Sequence, residues 1–452
     1  MTTPETPFLL DFFATLKERG VRYAVMRNSE TLPESLGGSD LDLFADGQGE
    51  VEKVLGIADE IAKKYNGGFT VKYTVEATIT CLGGRHSDGT WWGLHIDLFP
   101  GFMYFGIPYM DSAAAYAERV LEKDSFYRLG GLSDVASFIK EIMPNRKTKK
   151  DYYPRARAAY VENPDGIKAA MIGCYGNKGW SIVEKLLSRE CPDKEIFRDS
   201  KRLVRALWWR QVVGFHWLSL AMIKFRNVKQ RYGRLFHYPG YCVAFLGTDG
   251  SGKSTLIEKV KPTLYQMMHH PVEYRHLRPG LLPSLARLSG KPAMSGPVTN
   301  PHGGKTAGWI SSLVRFFYYY VDYTLGYFVK IFPCLVKRPT LVICDRYYYE
   351  YMIDPRRCAV KLPPGFARFF SWFIPKPDLI LCLGSDPEKI YVRKPETSLE
   401  EVQRQVAALK MFCDGNKRAV WIDTTTSIED SYDAAMAAIE SRMRARYSTN
   451  NE

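Results

Sequence analysis

A glycine-rich stretch that directly follows an apolar run contains the residue types that bind a nucleoside triphosphate. Residues 247–254 read G-T-D-G-S-G-K-S and fit the pattern G-x-x-x-x-G-K-S. Glycines let a backbone curve closely around an anion and direct its N–H groups at it, and a helix that starts after the loop adds its positive N-terminal end. The predicted ATP contacts are Gly247, Asp249, Gly250, Ser251, Gly252, Lys253, Ser254 and Thr255.

The surroundings of this stretch favour a phosphate-binding loop over a chance glycine turn. The apolar run 241–246 predicts a buried strand, and residues 255–260 predict the start of a helix, which is the order the motif requires. In such a loop the Lys253 ammonium is expected to reach the β- and γ-phosphates of ATP. The Ser254 hydroxyl is expected to bind Mg²⁺.

A second apolar run, residues 339–344, ends in the triplet Asp345, Arg346 and Tyr347. A carboxylate at the end of a strand can bind Mg²⁺ or orient an attacking hydroxyl, and a neighbouring guanidinium can grip the phosphate of an acceptor. The alternative is an ordinary salt bridge at a strand end. Asp345 is therefore a candidate magnesium ligand or a group that orients the attacking hydroxyl, and Arg346 is a candidate for binding the acceptor.

Four features in the same order make residues 241–443 resemble the thymidylate kinases and related nucleotide kinases. They are the D-G-x-G-K-S loop, the D-R-Y triplet, P-D-L-I-L at 377–381 and I-D-T-T-T-S-I-E-D at 422–430. The resemblance implies a parallel sheet flanked by helices. It also implies phosphoryl transfer from MgATP to a nucleoside monophosphate or a similar small anionic acceptor.

The resemblance also assigns roles to single residues. It implies that Arg393 and Lys394 form a basic lid and that residues 424–426 edge the adenine. The catalytic residues that it implies are Lys253, Asp345, Arg346 and Arg393, and the acceptor-binding residues are Asp249, Arg278, Arg346 and Tyr347.

The acceptor itself stays open at this point. The span 261–338 is longer than a compact thymidylate kinase needs, and we expect selectivity to reside in its segment 275–305. The aromatic run 316–320 predicts a helix that either lines the acceptor pocket or packs in the core, and core packing is the commoner outcome.

Near the N-terminus, three aspartates have the spacing of a second metal site. Asp40 and Asp42 alternate along a predicted strand, and Asp97 lies on another. Converging carboxylates can hold the Mg²⁺ ions of nucleotidyl transfer. With Ser29 shortly before them, these acids resemble the polymerase-β-type nucleotidyltransferases, although Asn28 stands where that family has glycine. The alternative is that the acids cap turns.

Composition along the chain predicts an α/β protein in three parts. Short apolar runs alternate with helical patterns over residues 1–111, which predict a small nucleotidyltransferase-like domain. Residues 112–239 predict a helical connector, and residues 240–452 predict a P-loop kinase with a parallel sheet flanked by helices. Two alternatives to a simple kinase remain: a kinase and nucleotidyltransferase in activated-sugar or surface-polysaccharide synthesis, and a non-catalytic nucleotide-binding regulatory module.

The charge of the chain suits anionic partners. Lys and Arg number 62 against 49 Asp and Glu, for a net charge of +13. Residues 201–238 hold nine of these cations and no acid, with aromatic residues between them, and predict either a domain-packing helix or a peripheral membrane contact; nucleic acid is disfavoured. The nine cysteines without a C-x-x-C pair and the lack of a signal peptide pattern predict a cytoplasmic protein, and a homodimer stays open.

Overall fold

The computed structural model describes residues 3–74, 77–143, 152–213, 217–268, 272–285 and 308–449. The chain forms two compact units, Met1–Gly233 and Arg234–Glu452. Within the described residues, no helix has the length and apolar character needed to cross a bilayer.

The first unit contains a mixed sheet of seven strands and a separate two-stranded ribbon. The strands are β1 Tyr23–Val25, β2 Leu41–Ala45, β3 Gly67–Thr74, β4 Thr78–Arg85, β5 Trp91–Phe99, β6 Met103–Tyr104, β7 Ile107–Pro108, β8 Val120–Glu122 and β9 Phe126–Arg128. The sheet has the order β3-β4-β5-β2-β1-β9-β8, and β6 pairs with β7. Parallel pairing joins β2 to β5 and β1 to β9, while the other neighbours are antiparallel.

Along the chain, the helices of the first unit lie before, between and after its strands. They are α1 Thr6–Glu18, α2 Gln48–Lys64, α3 Ser112–Ala117, α4 Gly131–Ile142, α5 Tyr152–Glu162, α6 Pro164–Ser188, α7 Asp193–Val213 and α8 Trp217–Phe236. The predicted connector 112–239 is not a separate body over most of its length. Residues of α4 to α7 share one hydrophobic core with Ala24 of β1 and Phe44 of β2, because amphipathic helices must bury their apolar faces against another layer.

The basic segment 201–238 is divided between two environments. Its first part belongs to α7, where Leu203 and Leu207 are buried in the shared core. In α8, the side chains of Met222, Phe225 and Tyr232 are exposed. Residues 214–216 lie outside the described residues.

The second unit contains a five-stranded, fully parallel sheet. Its strands are β10 Tyr241–Gly247, β11 Glu273–His276, β12 Leu341–Asp345, β13 Leu379–Gly384 and β14 Ala419–Asp423, in the order β11-β12-β10-β13-β14. The three central strands, β12, β10 and β13, are buried along their whole length, as expected for a parallel sheet covered on both faces, whereas the edge strands β11 and β14 are partly exposed. The predicted parallel sheet flanked by helices is therefore confirmed.

The helices of the second unit connect these strands. They are α9 Lys253–Met268, α10 Trp309–Gly326, α11 Phe332–Lys337, α12 Glu350–Ile353, α13 Pro364–Phe370, α14 Pro387–Arg393, α15 Leu399–Asp414 and α16 Ile428–Thr449, with a π-turn at Tyr327–Ile331 and a 3₁₀ turn at Ser371–Phe373. After central β10 the chain forms β11 and β12 on one side of it, and then β13 and β14 on the other side. Such a reversal opens a crevice beyond the carboxyl ends of the strands, where ligands bind.

Candidate functional site

The glycine-rich loop, residues 247–254, joins the carboxyl end of β10 to α9. A side chain at Gly247 would lie 2.6 Å from Ser251 Oγ and 2.7 Å from the Leu383 carbonyl oxygen. Gly250 and Gly252 have φ angles of +83° and +82°, in the left-handed region that strains other residues. The shape of the loop therefore depends on these three glycines.

Inside this loop the Lys253 side chain is buried and directed at backbone oxygens. Its Nζ donates to the carbonyl oxygens of Gly247, at 2.6 Å, and Thr248, at 2.8 Å. Burial, reinforced by the positive charge of Arg346, lowers the pKa of Lys253 to about 7. The hydroxyls of Thr248 and Ser251 are buried with no hydrogen-bond partner among the described residues. Ammonium, hydroxyls and backbone N–H groups together fit a phosphate chain.

The predicted magnesium ligand Asp345 ends β12 directly beside β10, where its Cα pairs with that of Phe245. One carboxylate oxygen accepts a hydrogen bond from the Tyr274 hydroxyl at 2.6 Å. The other, Oδ1, is buried and has no hydrogen-bond partner among the described residues. Ser254 and Thr255 lie in the first turn of α9 with exposed side chains. The free Asp345 oxygen and the Ser254 hydroxyl are hard oxygen donors and fit Mg²⁺.

The Arg346 guanidinium, which was predicted to bind the acceptor, is held by two carboxylates. Its Nη1 donates to Glu350 Oε2 at 2.7 Å, and its Nη2 donates to Asp249 Oδ1 at 2.6 Å. Arg357 donates to the second oxygen of Asp249. Burial acts to raise the pKa of Asp249, but the charges of Arg346, Lys253 and Arg357 outweigh it and lower that pKa. A buried guanidinium needs carboxylates around it, so Arg346 positions Asp249 and Glu350.

Replacing Arg346 by alanine should destabilise the second unit by about 3–5 kcal/mol, because the change leaves Glu350 buried without its cation. The measurement is the urea midpoint of unfolding. The control is the double variant Arg346→Met/Glu350→Leu, which removes both charges and should recover much of the loss. Equal stability of Arg346→Ala and the unmodified protein would contradict this role.

A cavity of about 280 Å³ lies next to the glycine-rich loop. Arg357 lines it and connects it to Asp249 in the loop. His276 also lines it, on β11 opposite Asp345. Burial lowers the pKa of His276, so its ring is neutral at pH 7. The other lining groups that matter are the cations Arg278 and Arg315 and the rings of Tyr319, Tyr323 and Tyr351.

Within the cavity, the arginines differ in how far their charges are neutralised. Arg278 pairs with buried Asp322 at 3.0 Å and lies 4.1 Å above the Tyr319 ring. Asp322 also accepts the backbone N–H of Leu281, which fixes the R-P-G turn. Among the described residues, Arg315 makes no ion pair, and its Nε is buried without a hydrogen-bond partner. Arg315 is therefore the cation that is best placed to meet an anionic group in this cavity.

Tyr347 and Arg393, two predicted site residues, make contacts different from those that the sequence predicted. Tyr347 was expected to bind the acceptor, but it is buried in the core and its hydroxyl donates to the Pro375 carbonyl at 2.6 Å. Arg393 donates to the Thr424 carbonyl at 3.2 Å. The neighbouring Lys394 lies against the loop, because a side chain at Gly250 would come within 3.1 Å of Lys394 Cβ. The end of α14 thus covers one side of the loop.

Sequence reasoning missed four residues of this site. Glu350 follows Arg346 by four positions, a spacing that could have suggested the pair. Tyr274, Arg315 and Arg357 belong to no motif. Of the segment expected to carry selectivity, residues 286–307 lie outside the described residues, whereas Arg278 lines the cavity.

In the first unit, the three predicted acids come together. Ligand oxygens of Asp40, Asp42 and Asp97 all lie within 4.8 Å of one another. Parallel pairing of β2 and β5 places the Cα of Asp42 opposite that of Asp97. Burial raises the pKa of Asp42. Arg27 donates to both carboxylate oxygens of Asp42, so the guanidinium already neutralises part of the negative charge that a cation would meet there.

Two further groups complete the surroundings of these acids. His95 Nε2 donates to Asp97 Oδ1 at 2.6 Å. Although burial acts in the opposite direction, Cys81 and Asp97 raise the pKa of His95 well above its ordinary value. Asn28 has a φ of +55°, a left-handed conformation that Asn tolerates better than most residues. The turn Asn28–Ser29 lines a cavity of about 370 Å³ with Arg27.

Comparison with known proteins adds no relative to these observations. No protein-family model matches the chain, and no curated protein is detectably similar to it.

Proposed function

We propose that the second unit is a P-loop kinase and, more specifically, an ATP- and Mg²⁺-dependent phosphotransferase of the thymidylate kinase type with a small anionic acceptor. One observation carries this proposal. The glycine-rich loop and the cationic cavity lie at the same end of the parallel sheet and are joined by the ion pair of Asp249 and Arg357. A protein that only binds nucleotide has no use for a second, cationic cavity beside its phosphate-binding loop.

The residues of the chain have distinct tasks in this proposal. Backbone N–H groups of the loop and the Lys253 ammonium hold the phosphates. Lys253 also stabilises the negative charge on the phosphoryl group during its transfer. Asp345 and Ser254 would hold Mg²⁺, which neutralises phosphate charge when bound. Asp249 stays ionised between Arg346 and Arg357, so it orients the acceptor and accepts a hydrogen bond from it.

The cavity favours an acceptor that has both an anionic group and an apolar face. Arg315 and Arg278 meet the anion, and the tyrosine rings pack against a sugar or a base. Nucleoside monophosphates and sugar phosphates both satisfy this description.

The test is a screen of nucleoside monophosphates and sugar phosphates by coupled ADP release. Transfer to at least one of them, dependent on Mg²⁺ and on Lys253, supports the proposal. ATP binding without ADP release over the whole panel would favour a regulatory nucleotide-binding module.

A second candidate function is nucleotidyl transfer by the first unit. The convergence of Asp40, Asp42 and Asp97 supports it, as does the left-handed Asn28 in the turn before Ser29. Together with the kinase, this reading gives a bifunctional enzyme of activated-sugar or surface-polysaccharide synthesis. The pair of Arg27 and Asp42 counts against a resident metal ion, because the guanidinium already compensates the charge of Asp42.

The double variant Asp40→Asn/Asp42→Asn should lower Mg²⁺-dependent pyrophosphate release from nucleoside triphosphates at least about 100-fold. ADP release by the kinase should stay unchanged. The matched control is Asp46→Asn. Asp46 directly follows β2, the strand that contains Asp42, and its carboxylate pairs with Arg22. Absence of pyrophosphate release by the unmodified protein would mean that this unit only holds a ligand.

A further inference from the structure

Helix α10 of the second unit is apolar on its outer face as well as on its inner face. The inner face packs in the core through Phe316 and Tyr323. Large apolar side chains recur every three or four residues on the opposite side and continue into the π-turn: Ile310 (64% exposed), Val314 (64%), Phe317 (41%), Val321 (38%), Leu325 (57%) and Phe328 (56%). The outer face of a helix in a water-soluble protein is normally polar.

The end of α13 and the 3₁₀ turn after it extend this apolar side. Phe369, Trp372 and Phe373 are 63%, 81% and 65% exposed. Ring contacts join the two segments, since Phe317 lies 5.3 Å from Phe370, which lies 5.2 Å from Phe369. We call this continuous surface the aromatic face; it consists of Ile310, Val314, Phe317, Val321, Leu325, Phe328, Phe369, Trp372 and Phe373. An apolar surface of this extent marks an interaction site.

Between residues 308 and 377, the stretch that contains the aromatic face, the exposed charges all have one sign. Every carboxylate between residues 308 and 377 is buried, namely Asp322, Asp345, Glu350 and Asp354. Over the same residues, the exposed cations are Lys330, Lys337, Arg338, Arg356, Lys361, Arg368 and Lys376. The partner of this surface therefore has to be apolar and to carry negative charge at its rim.

We propose that the aromatic face binds the surface of an anionic lipid bilayer. Trp372 and Phe373 are suited to the boundary between headgroups and acyl chains, where aromatic side chains accumulate. Arg368 and Lys376 flank them and meet the negative headgroups. A second copy of this chain fits less well, because it would bring the same cations together with no exposed carboxylate between residues 308 and 377 to pair with them.

This proposal goes beyond the kinase and does not depend on it. It also assigns the membrane contact to a surface of the second unit, whereas the sequence left such a contact open for residues 201–238 as the alternative to domain packing.

The test is co-sedimentation of the full chain with vesicles of phosphatidylcholine alone or with about 30% phosphatidylglycerol. We expect binding to the anionic vesicles that weakens in high salt. Trp372→Glu/Phe373→Glu should lower the partition coefficient at least about tenfold, and Arg368→Glu/Lys376→Glu should lower binding to the anionic vesicles selectively. The matched control is Met411→Glu, which changes an isolated apolar residue of α15 that is 69% exposed.

Three results would overturn the proposal: no binding of the unmodified chain to anionic vesicles, equal binding by the Trp372→Glu/Phe373→Glu variant, or equal binding to neutral and anionic vesicles. Sedimentation velocity without lipid gives an independent check. A dimer that dissociates in the Trp372→Glu/Phe373→Glu variant would identify a second copy as the partner and would also overturn it. Circular dichroism and the urea midpoint of unfolding establish that each variant is folded.

Discussion

Replacing Lys253 by methionine is expected to lower the rate of phosphoryl transfer about 10³-fold while leaving the protein folded. Methionine keeps the length of the side chain but removes the ammonium that neutralises charge on the transferred phosphate. Because the pKa of Lys253 is lowered to about 7, the native protein at pH 8 holds a mostly neutral side chain at this position. Its replacement therefore removes no buried ion pair. The measurement is kcat for ADP release, beside the urea midpoint.

The same lysine gives ATP binding a distinct pH dependence. Phosphate favours the charged form, so binding above pH 7 must take up a proton, and affinity should fall up to about tenfold per pH unit between pH 7.5 and 9. Calorimetry in buffers of different ionisation enthalpy detects this uptake. The variant Lys253→Met should lose it.

The pH dependence of the free energy of unfolding provides a further test of the lowered pKa of Lys253. Because its pKa is about 7 when folded and near 10.4 when unfolded, the unfolded state binds more protons between these values. Lys253 thus makes stability rise with pH in that window, and Lys253→Met should remove this part of the slope. The control is Lys259→Met, which alters an exposed ion pair on the same helix. Full transfer activity in Lys253→Met would contradict the proposed mechanism.

Sequence and structure agree best where a function depends on contiguous residues. The predicted strand 241–246 and the helix after the loop are observed as β10 and α9. Glycine spacing and the lysine position could be read directly, because strand, loop and helix follow one another without interruption. The end of β12 at Asp345 was predictable for the same reason.

Partners that are distant in the chain could not be predicted in this way. Arg357 binds Asp249 across 108 positions, and Arg27 binds Asp42 only once β1 and β2 have paired. The D-R-Y triplet identified Arg346 without revealing that two carboxylates already hold it. Composition likewise could not show that the connector helices complete the core of the first unit, since that depends on which apolar faces meet.

Replacing Asp345 by asparagine is the change expected to affect Mg²⁺ most. The substitution preserves size and leaves an amide oxygen able to accept the hydrogen bond from Tyr274, so the local fold should survive. It removes the negative charge at an oxygen that is buried and has no hydrogen-bond partner among the described residues. We expect kcat to fall about 10²–10³-fold and the Mg²⁺ concentration for half-maximal rate to rise.

Tyr274→Phe separates the charge of Asp345 from its orientation. This variant removes the hydrogen bond at 2.6 Å but leaves the carboxylate intact. Because loss of orientation alone is a smaller effect than loss of the ligand charge, we expect a decrease of about tenfold or less. If Asp345→Asn leaves the Mg²⁺ dependence of the rate unchanged, Mg²⁺ is bound elsewhere. The role of Asp345 is then to accept the hydrogen bond from Tyr274 that holds β11 against β12.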